Sequence, residues 1–153
     1  MYEIVISFSE VLEESINLLK YVGVKRAEKA NDYYRHAPCG ADTDFLRSLL
    51  SYAVAEVSMS LRPFSKGYEI RTDNITFRLS APKGTSDDFV ARELTSALRR
   101  MCVKRTVKRW LGITGITKFD SDSSNGSCDY EAVIRLLSSS GRGPLRPRPL
   151  HPL

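Results

Sequence analysis

The sequence predicts a mainly α fold, a small helical bundle with one β-hairpin and an extended C-terminal arm. Three observations predict it. Apolar residues recur at helical spacing in segments that begin near residues 8, 43 and 86. Residues 67–80 alternate apolar and polar side chains across a turn signal. The last ten residues hold four prolines and almost nothing that would enter a core.

Tyr2, Ile4 and Ile6 alternate with Glu3, Val5 and Ser7, which predicts an opening strand. Ser7-Phe8-Ser9-Glu10 then has the S-x-x-E form of a capping box, in which the serine oxygen and the glutamate satisfy free amides at a helix start. The stripe Leu12, Ile16 and Leu19, flanked by Val11, Leu18 and Val22, carries that helix to about Gly23. Residues 24–36 fit either a continuation or a separate turn, and Pro38 and Gly40 close the stretch.

Asp42 or Thr43 caps a second helix that Pro63 stops. Its wide stripe is Leu46, Leu49, Leu50, Ala53, Val54, Val57 and Leu61, and Phe45, Tyr52 and Met59 lie seven apart beside it. Those three fit a broad core face or a second contact surface for another subunit. Tyr68 and Ile70, then Ile75, Phe77 and Leu79, form a hairpin across Asp73-Asn74.

Thr85-Ser86-Asp87-Asp88 caps a third helix that runs to Leu111. Val90, Leu94, Ala97, Leu98 and Met101 form one stripe, while Val103, Val107 and Trp110 fall on nearly the opposite side. Such a helix either passes from its own core into contact with a partner or is covered late by another part of the chain, such as residues 128–137. Residues 112–127 read as a link, and residues 129–137, DYEAVIRLL, as a short helix. The domain is therefore residues 1–137, and residues 138–153 are the arm.

The 153 residues suit one domain, and 42% hydrophobic with 27% charged residues suits a folded body. No apolar run reaches membrane-span length, and Glu3, Glu10, Glu13 and Glu14 stand where a signal peptide wants positive charge, so the expectation is a soluble protein made in the cytoplasm. Cys39, Cys102 and Cys128 are odd in number and form no C-x-x-C pair, which predicts free thiols. Of the net charge of +5, residues 99–109 alone hold six Lys or Arg, and Arg142, Arg146 and Arg148 add three. Lys104, Arg105, Lys108 and Arg109 are thus candidates for contact with DNA or an acidic partner.

Catalytic signals are sparse. The two histidines, His36 and His151, lie beside a proline loop and in the tail, and no nucleophile elbow, P-loop or dinucleotide fingerprint is present, so neither an enzyme nor a cofactor is expected. Asp120, Asp122 and Glu131 match positions 1, 3 and 12 of a calcium loop, but the required glycine is displaced by one residue to Gly126, so no metal is expected there. The tail units Pro144-Leu145-Arg146-Pro147 and Pro149-Leu150-His151-Pro152 favour polyproline II, and Arg142 and Arg148 add charge for a partner; an arm laid on an assembly partner fits better than an SH3 ligand.

The order of elements MYEIVISFSEVLEESINLLKYVG, DTDFLRSLLSYAVAEVSMSLRPF, YEIRTDNITFRLS and DDFVARELTSALRRMCVKRTVKRWLGI resembles the head-to-tail connector (adaptor, or neck) proteins of tailed bacteriophages. It is closest to those of phages of gut Bacteroidetes, the crAss-like group included. The resemblance covers residues 1–137 as an arrangement of elements. The Arg/Pro tail and the basic third helix depart from the family pattern. What it implies is a virion protein in a ring, typically of twelve copies, under the portal protein and above the next neck or tail protein, with DNA passing through. Self-association would then use Phe45, Tyr52 and Met59 with Val103, Val107 and Trp110, and the arm would use residues from Arg142 through Leu150.

Overall fold

The computed structural model describes residues 1–26, 38–62, 64–80, 88–113 and 123–139. Strand β1 (Tyr2–Ser7) leads directly into helix α1 (Phe8–Arg26). A 3-10 turn (Gly40–Asp42) precedes α2 (Thr43–Ser60); strands β2 (Ser65–Arg71) and β3 (Asn74–Leu79) follow, then α3 (Asp88–Ile113) and α4 (Ser123–Ser139). Mainly helical architecture with a β-hairpin is therefore what the chain adopts. The opening strand adds to the hairpin, giving a three-stranded antiparallel sheet in the order β1-β3-β2.

Alternation decides the sheet's inner face. Tyr2, Ile4 and Ile6 are buried while Glu3 and Val5 point outward, and β1 pairs with β3 from Tyr2↔Leu79 to Ser7↔Asn74. On the central strand Ile75, Phe77 and Leu79 are fully buried, each stabilising the fold by about 1.5–3 kcal/mol relative to exposure. The hairpin closes at Arg71↔Asn74, so its turn is Thr72-Asp73, one residue earlier than the sequence suggests. Thr72 takes a φ of 51°, unusual for a β-branched residue. Gly67, at φ 127°, supplies the left-handed backbone that the bulge between Ser65 and Gly67 requires.

The serine half of the S-x-x-E signal at α1 is present, with Ser7 Oγ accepting from the Glu10 N–H at 3.4 Å, while the Glu10 carboxylate pairs with Arg99. Asp73 strengthens it from the hairpin turn. Its carboxylate accepts from the Ser9 N–H at 2.8 Å, from Ser9 Oγ at 3.0 Å and from Ser7 Oγ at 3.1 Å, and its carbonyl accepts from the Phe8 N–H at 2.6 Å. These bonds to the charged form hold the Asp73 carboxyl below its ordinary value. The helix passes Gly23 and continues to Arg26.

The six residues of the predicted stripe on α2 are buried, as is the seventh, Leu61, at the C-cap. Asp42 stands at the N-cap position without a side-chain cap bond; its carboxylate accepts instead from the Cys39 N–H at 2.8 Å. Helix α3 runs through the middle and packs on α1, α2, α4 and β1. Both of its apolar faces are therefore filled from within the chain. Helix α4 begins at Ser123, so residues 123–127 are helical where the sequence reads as a link, and it ends at Ser139, two residues past the predicted domain boundary.

Candidate assembly surface

Phe45, Tyr52 and Met59 stand on the flank of α2 beside its buried stripe, at 45%, 62% and 62% exposure. Seven residues are two helical turns, so the three form a row along the helix axis. The core-face alternative fails for them, because Leu46, Leu49, Ala53 and Val57 already fill the space beneath α2. The row is seated from below. The Phe45 ring lies 6.1 Å from the Trp110 ring at 55°, and the Arg109 guanidinium sits 5.7 Å over the Tyr52 ring.

Val103, Val107 and Trp110 are 7%, 0% and 6% exposed, which corrects their assignment to self-association. The change of face on α3 is real, but its cause lies inside the chain. Helix α4, with Val133 and Leu137 fully buried, packs on α3, and α2 packs on it as well, with Phe45 against Trp110. Asp129, only 7% exposed, fixes α4 to α3 by accepting from Arg100 Nε at 3.0 Å and from Lys104 Nζ at 2.7 Å.

The basic run on α3 is likewise largely spent on this chain's own carboxylates. Arg99 pairs with Glu10 at 3.2 Å and with Glu14, both on α1. Arg105 pairs with Glu56 of α2 at 3.3 Å, and Arg109 pairs with the same carboxylate. So Lys104, Arg105 and Arg109 of the candidate DNA contacts serve interhelical packing, and Lys108 is the exposed member. The six cations also point to several sides of the helix, which spreads their field instead of focusing it along one stripe.

Cys102 is free and buried, and burial pushes its thiol up to about 12; Cys39 is free and exposed. Among the described residues no group of three His, Cys, Asp or Glu is placed to hold a metal ion, and no helix is long and apolar enough to cross a membrane. Asp120, Asp122 and the arm residues Arg142, Pro144, Leu145, Arg146, Pro147, Arg148, Pro149 and Leu150 lie outside the described residues.

Glu56 and Asp129, which hold α2 and α4 to α3, carry no motif of their own. The one sequence signal for Asp129 was the missing acid opposite Arg100 and Lys104, which stand at helical spacing on one flank of α3. No protein-family model, curated protein or solved structure matches this chain.

Proposed function

We propose that the chain is a structural virion protein, one subunit of the head-to-tail connector (neck, or adaptor) ring of a tailed bacteriophage. In this reading the ring docks to the portal protein, receives the next neck or tail protein on its far side, and forms part of the channel through which DNA passes. The observation that carries the proposal is the exposed Phe45–Tyr52–Met59 row on the flank of a helix whose neighbouring stripe is committed to the core. Large apolar side chains aligned in this way on a small domain favour burial against another protein surface. The mechanism is geometric: self-association builds the channel, and neither a catalytic step nor a cofactor is involved.

The ion pairs of α3 support this reading over that of a small basic DNA-binding or regulatory protein. Cations held by Glu10, Glu14, Glu56 and Asp129 gain less from phosphates, because those carboxylates must first be released. A salt-titrated DNA-binding assay on the full chain separates the two. The connector reading predicts weak, sequence-blind binding whose log–log salt slope is about −1 to −2, the value for one or two phosphate contacts. A slope of about −5 or steeper with preference for one sequence would favour the DNA-binding protein.

A further inference from the structure

We propose that the free chain pairs with a second copy of itself through α2, the two helices lying antiparallel about a two-fold axis with their Phe45–Tyr52–Met59 rows packed into one seam. This rests on the row being an assembly contact, as the function above takes it, and not on the closure of a ring.

The seam is wider than the row. At about 100° per residue Ser48 and Ala55 share an arc of about 80° with Phe45, Tyr52 and Met59, on the side of the row away from Leu49 and Ala53. Ser48 is exposed and Ala55 is partly buried. The five positions are spaced alternately three and four apart, the repeat of a coiled-coil seam, with the three large side chains at one heptad position and the two small ones at the other. Large and small therefore alternate along α2.

Size chooses the orientation. Two parallel helices in register bring Phe45 onto Phe45 and Ser48 onto Ser48, so crowded layers follow hollow ones and both are unfavourable. In an antiparallel pair with Tyr52 opposite Ala55 of the second copy, Met59 comes opposite Ser48 of that copy, and the two-fold repeats both contacts. Each of these large side chains then lies over a small one.

Charge chooses the same orientation. Arg62 follows the C-cap Leu61, and its N–H donates to the Met59 carbonyl at 3.4 Å, so it continues the last turn of α2. The register set by Tyr52 and Ala55 lays Arg62 over the Phe45 ring and beside Asp44 of the second copy, at both ends of the seam. Asp44 and Arg62 are exposed, and neither belongs to an ion pair among the described residues. A parallel pair would instead set Asp44 against Asp44 and Arg62 against Arg62, which repels at both ends.

These features name the occupant. A stretch with alternating large and small side chains and opposite charges at its two ends is complementary to its own reverse, which is what an isologous contact requires. Phe, Tyr and Met are also the side chains that interface cores favour. A two-fold contact closes at two copies, and the row cannot serve a ring neighbour at the same time. The pair thus covers the row in dilute protein and gives way as concentration favours the larger assembly.

The test uses three full-length variants, Asp44→Arg, Arg62→Asp and the chain carrying both changes, with circular dichroism to check that helical content is unchanged. Sedimentation velocity follows each from nanomolar concentration to the onset of ring assembly. The proposal predicts a two-copy species in wild type, weakened by about tenfold or more in each single variant, because both ends lose an ion pair and gain a like-charge contact. An equimolar mixture of the two single variants should pair as tightly as wild type, since each changed end then meets one of opposite sign, and so should the double variant. Single variants that pair as tightly as wild type, or a mixture that stays unpaired, would overturn the pair. Wild type that passes from monomer to ring with no two-copy species also overturns it, while the ring reading stands. Two copies at every concentration, with the charge rule obeyed and no ring even beside portal protein, would keep the pair and end the ring reading; monomer throughout would end both.

Discussion

Truncating Trp110 distinguishes a core residue from an interface residue. The indole is 6% exposed, lies between α3 and the Phe45 ring, and adjoins the fully buried Val107. Trp110→Ala removes most of that contact and leaves a cavity that neighbouring side chains fill only in part, a cost of about 3–5 kcal/mol. For a chain of this length each kcal/mol lowers Tm by about 2–4 °C, so the expected loss is on the order of 10 °C. Against a total stability of about 5–15 kcal/mol that is a large fraction. Tyr52→Ala is the control: at 62% exposure it should change Tm by only about 1–2 °C while weakening self-association. Thermal melts followed by circular dichroism read both. If Trp110→Ala melted with wild type and lost only assembly, the burial of the late α3 face by this chain's own α2 and α4 would be wrong.

Asp129→Ala removes two bonds to cations, but Arg100 is half exposed and rehydrates, so the net cost should be about 2 kcal/mol, read as earlier hydrogen exchange in α4 than in α1 to α3; uniform exchange would contradict it. Asp73 has a carboxyl held below 3.8 in the fold, so its contribution is present above that value and is lost as pH falls through the folded pKa. The Tm difference between wild type and Asp73→Ala should accordingly be constant near neutral pH and shrink below about pH 4, whereas a pH-independent difference would refute the cap. Cys102, fully buried with its thiol raised to about 12, should resist alkylation in the native protein and react on unfolding, while Cys39 reacts at once; peptide mapping by mass spectrometry checks both.

Local signals are legible in the sequence. The Ser7 half of the α1 cap, the apolar stripe of α2 and the alternation of β3 each depend on residues a few positions apart, and each appears as expected. The change of face on α3 was also legible, because helical spacing reveals that two sides are covered. What covers them was not. A wheel cannot tell a partner subunit from α4, whose start at Ser123 hides in a Ser/Asn/Gly-rich stretch that favours a link. The ion pairs that neutralise α3 join residues 25 to 89 positions apart, and Asp73 reaches Ser9 across 64. Such pairings follow from strand register and helix packing, which no short window contains. Of the self-association residues, the three on α2 are exposed as an interface needs and the three on α3 are core, a distinction that depends on which helices flank α3.

The most direct test of the connector reading is an electron-microscope image of the purified full-length protein at micromolar concentration, beside the Tyr52→Asp variant. A closed ring with a central opening in wild type, dispersed to monomers by Tyr52→Asp while the helical spectrum is unchanged, is the predicted result. Wild type that remains monomeric at every concentration, alone and in the presence of portal protein, would contradict it.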